Sequence, residues 1–203
     1  MHKHYTYLAL GDSYTIGEAV LLHNSFPYQT VQALRKQGLD FTAPEIIAKT
    51  GWTTDELSAA LAHYTFSSKY DFVSLLIGVN NQYRGQDIIL YKEQLENLLK
   101  KTVDLAGGKK EHVFVLSIPD YSVTPFAQAL EREKISKEID EYNKLNKALC
   151  IQYKIPYIEI TEGSREAKAN PDQVAEDGLH PSAVVYAKWA KKLADAFGKL
   201  VKK

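Results

Sequence analysis

The sequence predicts an α/β fold, a three-layer α/β/α sandwich around a five-stranded parallel sheet. Short β-rich segments alternate with amphipathic stretches along the whole chain, the pattern of βαβ units joined by right-handed crossovers. The central run Phe72-Val73-Ser74-Leu75-Leu76-Ile77 is nearly continuous in apolar residues, as strands buried on both faces of a parallel sheet are. No repeat, low-complexity tract or linker breaks the pattern, and 203 residues suit one core, so a single domain over 1–203 is expected.

Taken in order, Tyr5 to Leu10 is rich in β-formers and reads as the first strand. Pro27 to Gln37 reads as a helix, with an early proline and Gly38 at its end. Glu45-Ile46-Ile47-Ala48 is a short second strand. Thr54 to Tyr64 places Leu57, Ala60, Leu61 and Tyr64 on one helical face, with Asp55 and Glu56 in the first turn, where the helix dipole favours them. The third strand, Phe72 to Ile77, is followed by a long amphipathic helix over Ile88 to Leu105, stopped by Gly107-Gly108. Val113 to Leu116 is strand four, Ile135 to Tyr153 a helix, Ile155 to Ile158 strand five and Ser182 to Val201 the last helix. The least regular stretches, Pro119 to Glu133 and Thr161 to Leu179, are candidate active-site loops.

The bulk composition narrows the function by exclusion. Hydrophobic residues make up 45% and charged residues 25%, and 25 basic side chains balance 25 acidic ones. A neutral chain does not point to nucleic acid or an anionic membrane as partner. The single cysteine, Cys150, has no internal partner and lies in a helical pattern, where it reads as a small core residue. The first apolar stretch, Tyr7 to Leu10, is too short for a secretory leader core, and no run approaches the length of a membrane span. A cytoplasmic protein is the default expectation. His2, His4, His23, His63 and His112 are scattered without metal-ligand spacing and read as surface or structural residues; neither a metal nor a cofactor is expected.

In open α/β sheets, ligands bind beyond the carboxyl ends of the strands. Gly11-Asp12-Ser13-Tyr14 follows strand one, Lys49-Thr50-Gly51-Trp52 strand two, and Gly78-Val79-Asn80-Asn81-Gln82-Tyr83-Arg84-Gly85 strand three. Asp177-Gly178-Leu179-His180-Pro181 precedes the last helix. Hydroxyl, amide, carboxylate and imidazole thus collect at one edge. The chemistry that fits is acyl transfer to a small-molecule ester. Ser13 needs a base to become a nucleophile, and an imidazole suits that task near neutral pH. Asp177, three residues before His180, can orient the ring and stabilise the imidazolium. The Ser13 N–H, the Gly51 N–H and the Asn80 side-chain amide are candidate donors for an oxyanion hole.

Taken alone, each residue also suits a plainer role: Ser13 an N-cap, Gly51 a turn, Asn80 a loop cap, Asp177 a loop acceptor. Asp12 reads as a structural hydrogen-bond acceptor rather than a catalytic group. Asn81 and Arg84 are the candidates for substrate contact. The Arg84 guanidinium suits an anionic group on a substrate, and the competing reading pairs it with Asp87 or solvent.

Together these segments resemble the SGNH hydrolases, or GDSL esterase/lipase family. Gly11-Asp12-Ser13-Tyr14 matches the first motif, Gly51 the second, Gly78-Val79-Asn80 the third and Asp177-Gly178-Leu179-His180-Pro181 the fifth. The resemblance implies a flavodoxin-like three-layer fold and Ser13, Gly51, Asn80 and His180 as the family's four namesake residues. One departure is Asn81, which stands where the third motif usually has aspartate and removes a charge beside the oxyanion hole. The function expected is that of a serine esterase acting on short acyl groups, with acetyl on a sugar or other polar carrier as one candidate. A thioesterase or lysophospholipase would use the same residues, and a non-catalytic binding module on the same fold is the alternative from another class. The first loop lacks a glycine-rich phosphate cradle, which argues against a nucleotide or flavin binder.

Overall fold

A computed structural model describes residues 4–66 and 69–201. Its centre is an all-parallel sheet of five strands in the order β2-β1-β3-β4-β5. The strands are β1 (Tyr7–Gly11), β2 (Glu45–Ala48), β3 (Phe72–Leu76), β4 (Val113–Leu116) and β5 (Tyr157–Ile158). β1, β3 and β4 are buried along their whole length, as their apolar runs require. The main helices are α2 (Phe26–Lys36), α3 (Thr54–His63), α5 (Ile88–Leu105), α6 (Arg132–Tyr153) and α8 (Ala183–Val201). α2 packs on α8, while α5 packs on α3 and α6. This is the three-layer sandwich expected, with strand and helix boundaries within about three residues of those read from the sequence.

Two of the boundary differences have physical causes. β1 begins at Tyr7 because Thr6 donates its N–H to the Asp71 carboxylate (2.9 Å) and Tyr5 donates to the Asp40 carbonyl (2.7 Å). β5 is only two residues long. Ile155, expected to open it, donates its N–H to the Cys150 carbonyl at the end of α6, and Pro156 has no N–H to donate. Cys150 itself is buried in the core, and burial pushes its thiol up to about 12.

Three short helices have no counterpart among the elements expected from the sequence: α1 (Ser13–Ile16), α4 (Val79–Tyr83) and α7 (Thr161–Arg165), the last in a stretch expected to be irregular. Single turns carry too little periodicity to register. α1 and α4 carry candidate site residues, and each begins just after the carboxyl end of a strand. Among the described residues, no helix is long and apolar enough to cross a membrane.

α8 is anchored by aromatic packing. The Phe197 ring stacks on Phe72 at 4.4 Å, meets Tyr7 edge-on at 5.1 Å and lies 4.8 Å from Phe114. β1, β3 and β4 are therefore all pinned to the helix that follows His180. Phe197 is fully buried. Phe197→Ala should destabilise the protein by about 3–5 kcal/mol, with Phe197→Leu costing less. The shift of the urea midpoint at constant slope checks this, and an alanine variant as stable as the parent would refute it.

Candidate active site

Gly11 ends β1 in register with Ala48 of β2 and Leu76 of β3. A Cβ there would lie 2.2 Å from both the Leu76 carbonyl oxygen and Thr15 Oγ1, so only glycine lets the chain turn this close to its neighbours. Asp12 then caps α1, its side chain accepting the Tyr14 N–H at 3.0 Å. Ser13 is thereby set as the first residue of α1, almost buried at 5% exposure. The structural role read for Asp12 is the one its hydrogen bond describes.

The Asp177–His180 segment is a turn wound around one carboxylate. Asp177 Oδ1 accepts the N–H groups of Leu179 and His180, each at 3.0 Å. Asp177 Oδ2 meets His180 Nδ1 at 2.5 Å. Gly178 supplies the positive φ of 72° that the turn needs. Burial raises the Asp177 carboxyl, but the His180 ring and the two N–H donors outweigh it and hold the group below its ordinary range. The imidazole is nearly buried and packs on the Tyr14 ring at 5.1 Å. The Phe126 N–H donates to the Gly178 carbonyl at 2.9 Å and ties the turn to the segment after β4.

Ser13, Asn80 and His180 line one cleft of about 120 Å³, with Tyr14, Val79, Tyr83, Tyr121, Phe126 and Leu179 as its other walls. Asp177 stands behind the imidazole. Gly51 lies outside this lining at φ 82°, one residue from Trp52, whose carbonyl accepts from Asn80 Nδ2 at 3.0 Å. Ser13, Asn80 and His180 thus reach one cleft from both ends of the chain, while Gly51 is not among its walls.

The two residues expected to contact substrate are placed differently. Asn81 is fully buried and does not line the cleft. Its Oδ1 accepts the Thr54 N–H at 3.1 Å, and its Nδ2 donates to Thr54 Oγ1 at 2.7 Å and Gln86 Oε1 at 2.8 Å. A neutral amide fits because it must accept on one side and donate on the other. Through Thr54, Asn81 braces α4 against the start of α3. Arg84 also stands outside the cleft lining; it donates from Nη2 to the Gly51 carbonyl at 2.6 Å and pairs with Glu56 at 3.3 Å. Asp87, the partner weighed for it, instead caps α5 through the N–H groups of Ile89 and Leu90. Of the scattered histidines, His4 pairs with Asp40 and His112 Nδ1 meets the Asp71 carbonyl, while His2 lies outside the described residues.

The aromatic walls escaped the sequence reading. Tyr121 and Phe126 lie in the Pro119–Glu133 stretch singled out as irregular, and Tyr83 follows the amides on α4. Three aromatic side chains close behind strand ends were the available signal. Their ring centroids lie 6.1 to 6.3 Å apart, and Tyr83 and Phe126 remain exposed.

A profile of the GDSL-like lipase/acylhydrolase family matches residues 9–188, which include all of these segments. The chain belongs to this family. It is 23% identical over 186 residues to an acetylxylan esterase from Geobacillus stearothermophilus, covering 86% of this chain and 75% of that one. The fold matches the crystal structure of TesA with a TM-score of 0.76 at 18% identity, over 96% of this chain and 99% of that one. It matches a lipase/acylhydrolase from Enterococcus faecalis with a TM-score of 0.74 at 21% identity, over 94% of each chain. Membership in this family makes the protein a GDSL-type hydrolase with esterase and acylhydrolase relatives.

Asp12 brings a pH dependence of its own. Full burial raises its carboxyl to about 7, against the smaller effect of its backbone donors. Between about pH 4 and pH 7 the folded protein therefore keeps a proton that the unfolded chain has released, and stability falls as pH rises through that window. Asn at this position still accepts the Tyr14 N–H but does not titrate. The stability of Asp12→Asn relative to the parent should rise by on the order of a few kcal/mol from pH 4 to pH 7. Denaturant unfolding at a series of pH values tests this, and a pH-independent difference would rule it out.

Proposed function

We propose that this GDSL-family protein is a serine esterase that hydrolyses small, short-acyl carboxylic esters through an acyl-serine intermediate. One observation carries the reading: the cleft exposing Ser13 and Asn80 also holds an imidazole whose far nitrogen is fixed by Asp177 at 2.5 Å. Ser13 Oγ attacks the ester carbonyl carbon while His180 Nε2 takes the hydroxyl proton. Asp177 holds the tautomer that leaves Nε2 free and stabilises the imidazolium. Negative charge on the tetrahedral oxygen is met by the Ser13 N–H, the Gly51 N–H and the Asn80 amide. The carbon–oxygen bond of the leaving alcohol breaks as His180 returns the proton to it. Water, activated by the same imidazole, then releases the acid and restores Ser13.

The small volume of the cleft, about 120 Å³, favours a short acyl group over a long chain. The relative named an acetylxylan esterase makes acetyl on a sugar the first ester to try. A thioester and a lysophospholipid belong in the same panel, because the acyl-transfer chemistry would serve them equally.

Ser13→Ala should lower kcat for p-nitrophenyl acetate by on the order of 10⁶-fold with an unchanged melting temperature. Turnover retained by that variant would remove Ser13 as nucleophile. His180→Ala should lower kcat by a comparable factor, because no other base reaches Ser13 in this scheme. Turnover retained by that variant would count against His180 as the base. Rates across a panel of acyl lengths and carriers should fall beyond the shortest acyl groups.

A further inference from the structure

We propose that Arg84 is a positioning residue, setting the spacing between the Gly51 N–H and the Asn80 amide, and so acts on the transition state without touching substrate. The inference rests on the reading of those two groups as oxyanion donors. The donors come from separate loops, and one of them is a glycine, which has no side chain to hold its backbone in place. Arg84 bonds to the backbone of both. Its own N–H donates to the Asn80 carbonyl at 3.0 Å, and its Nη2 donates to the Gly51 carbonyl at 2.6 Å. Its Nη1 pairs with Glu56 at 3.3 Å. Glu56 in turn accepts the Thr53 N–H at 2.9 Å in the capping box that opens α3. The guanidinium fork thus spans the Gly51 loop and the first turn of the following helix, and a lysine cannot reproduce its two divergent donors. From the other side the Thr50 hydroxyl is held by Glu18, so Gly51 is flanked by fixed points.

Hydrogen bonds to a developing oxyanion are sensitive to small displacements, whereas ground-state binding in an apolar cleft is not. Arg84→Ala should lower kcat by about 10- to 100-fold on neutral and anionic short-acyl esters alike, with KM changed less than about twofold. Affinity for phenylboronic acid, which forms a tetrahedral adduct with serine, should fall by a similar factor. Arg84→Lys should recover part of the loss, and it carries the same test should the alanine variant fail to fold. A rise in KM confined to anionic esters, with kcat retained, would overturn the proposal by making Arg84 a substrate contact. Parent-like kinetics in the alanine variant would also overturn it. Asn80→Ala, run alongside, separates the two levels: if it keeps full activity, the donor reading itself fails. If it loses activity while Arg84→Ala does not, only the positioning role fails.

Discussion

The change in winding direction at β1 is the constraint on which the site depends. From β1 the chain moves to β2 on one side and then crosses back to β3 on the other. Segments leaving the carboxyl ends of β1 and β3 therefore diverge over opposite halves of the sheet and leave a crevice between them. α1 and α4 begin at its edges and bring Ser13 and Asn80 to the same opening. The crevice needs close backbone approach at its floor, and Gly11 meets that need beside Leu76 and Thr15. A sheet wound in a single direction would send both segments the same way and offer no such opening.

Around that crevice the polar groups hold each other rather than waiting for a ligand. Asp177 is engaged three times by a segment of four residues, twice by backbone and once by the imidazole. Asn81, fully buried, stitches α4 to α3 with two hydrogen bonds to Thr54 and holds the following loop with a third to Gln86. Buried polar groups are costly unless satisfied, and a satisfied network resists displacement. The rigidity extends to the sheet through α8, whose Phe197 grips three strands while its amino end follows directly from His180 and Pro181.

What the sequence revealed and concealed follows from the range of the forces involved. The helix Ile88–Leu105, whose apolar period buries one face, and the strand Val113–Leu116, a short apolar run buried on both, were legible to the residue. That Ser13, Asn80, Asp177 and His180 gather at one edge was legible, because their positions after strands and their types suit one chemistry. The hydrogen-bond partners of Asn81 and Arg84 were not. A side chain's partner lies up to some tens of residues away in sequence, and Thr54 and Gly51 leave no mark near positions 81 and 84. The short strand β5 was overread because its first amide was already committed to the preceding helix. The aromatic walls were missed because Tyr83, Tyr121 and Phe126 carry no periodicity; only the fold brings them together.

The hydrogen bond from the Phe126 amide to the Gly178 carbonyl couples two parts of the cleft mechanically. Phe126 presents an exposed ring to whatever enters, and Gly178 belongs to the turn that carries the imidazole. The aromatic wall and the imidazole therefore share one mount: the backbone that carries the Phe126 ring is fastened to the same turn that Asp177 winds around His180.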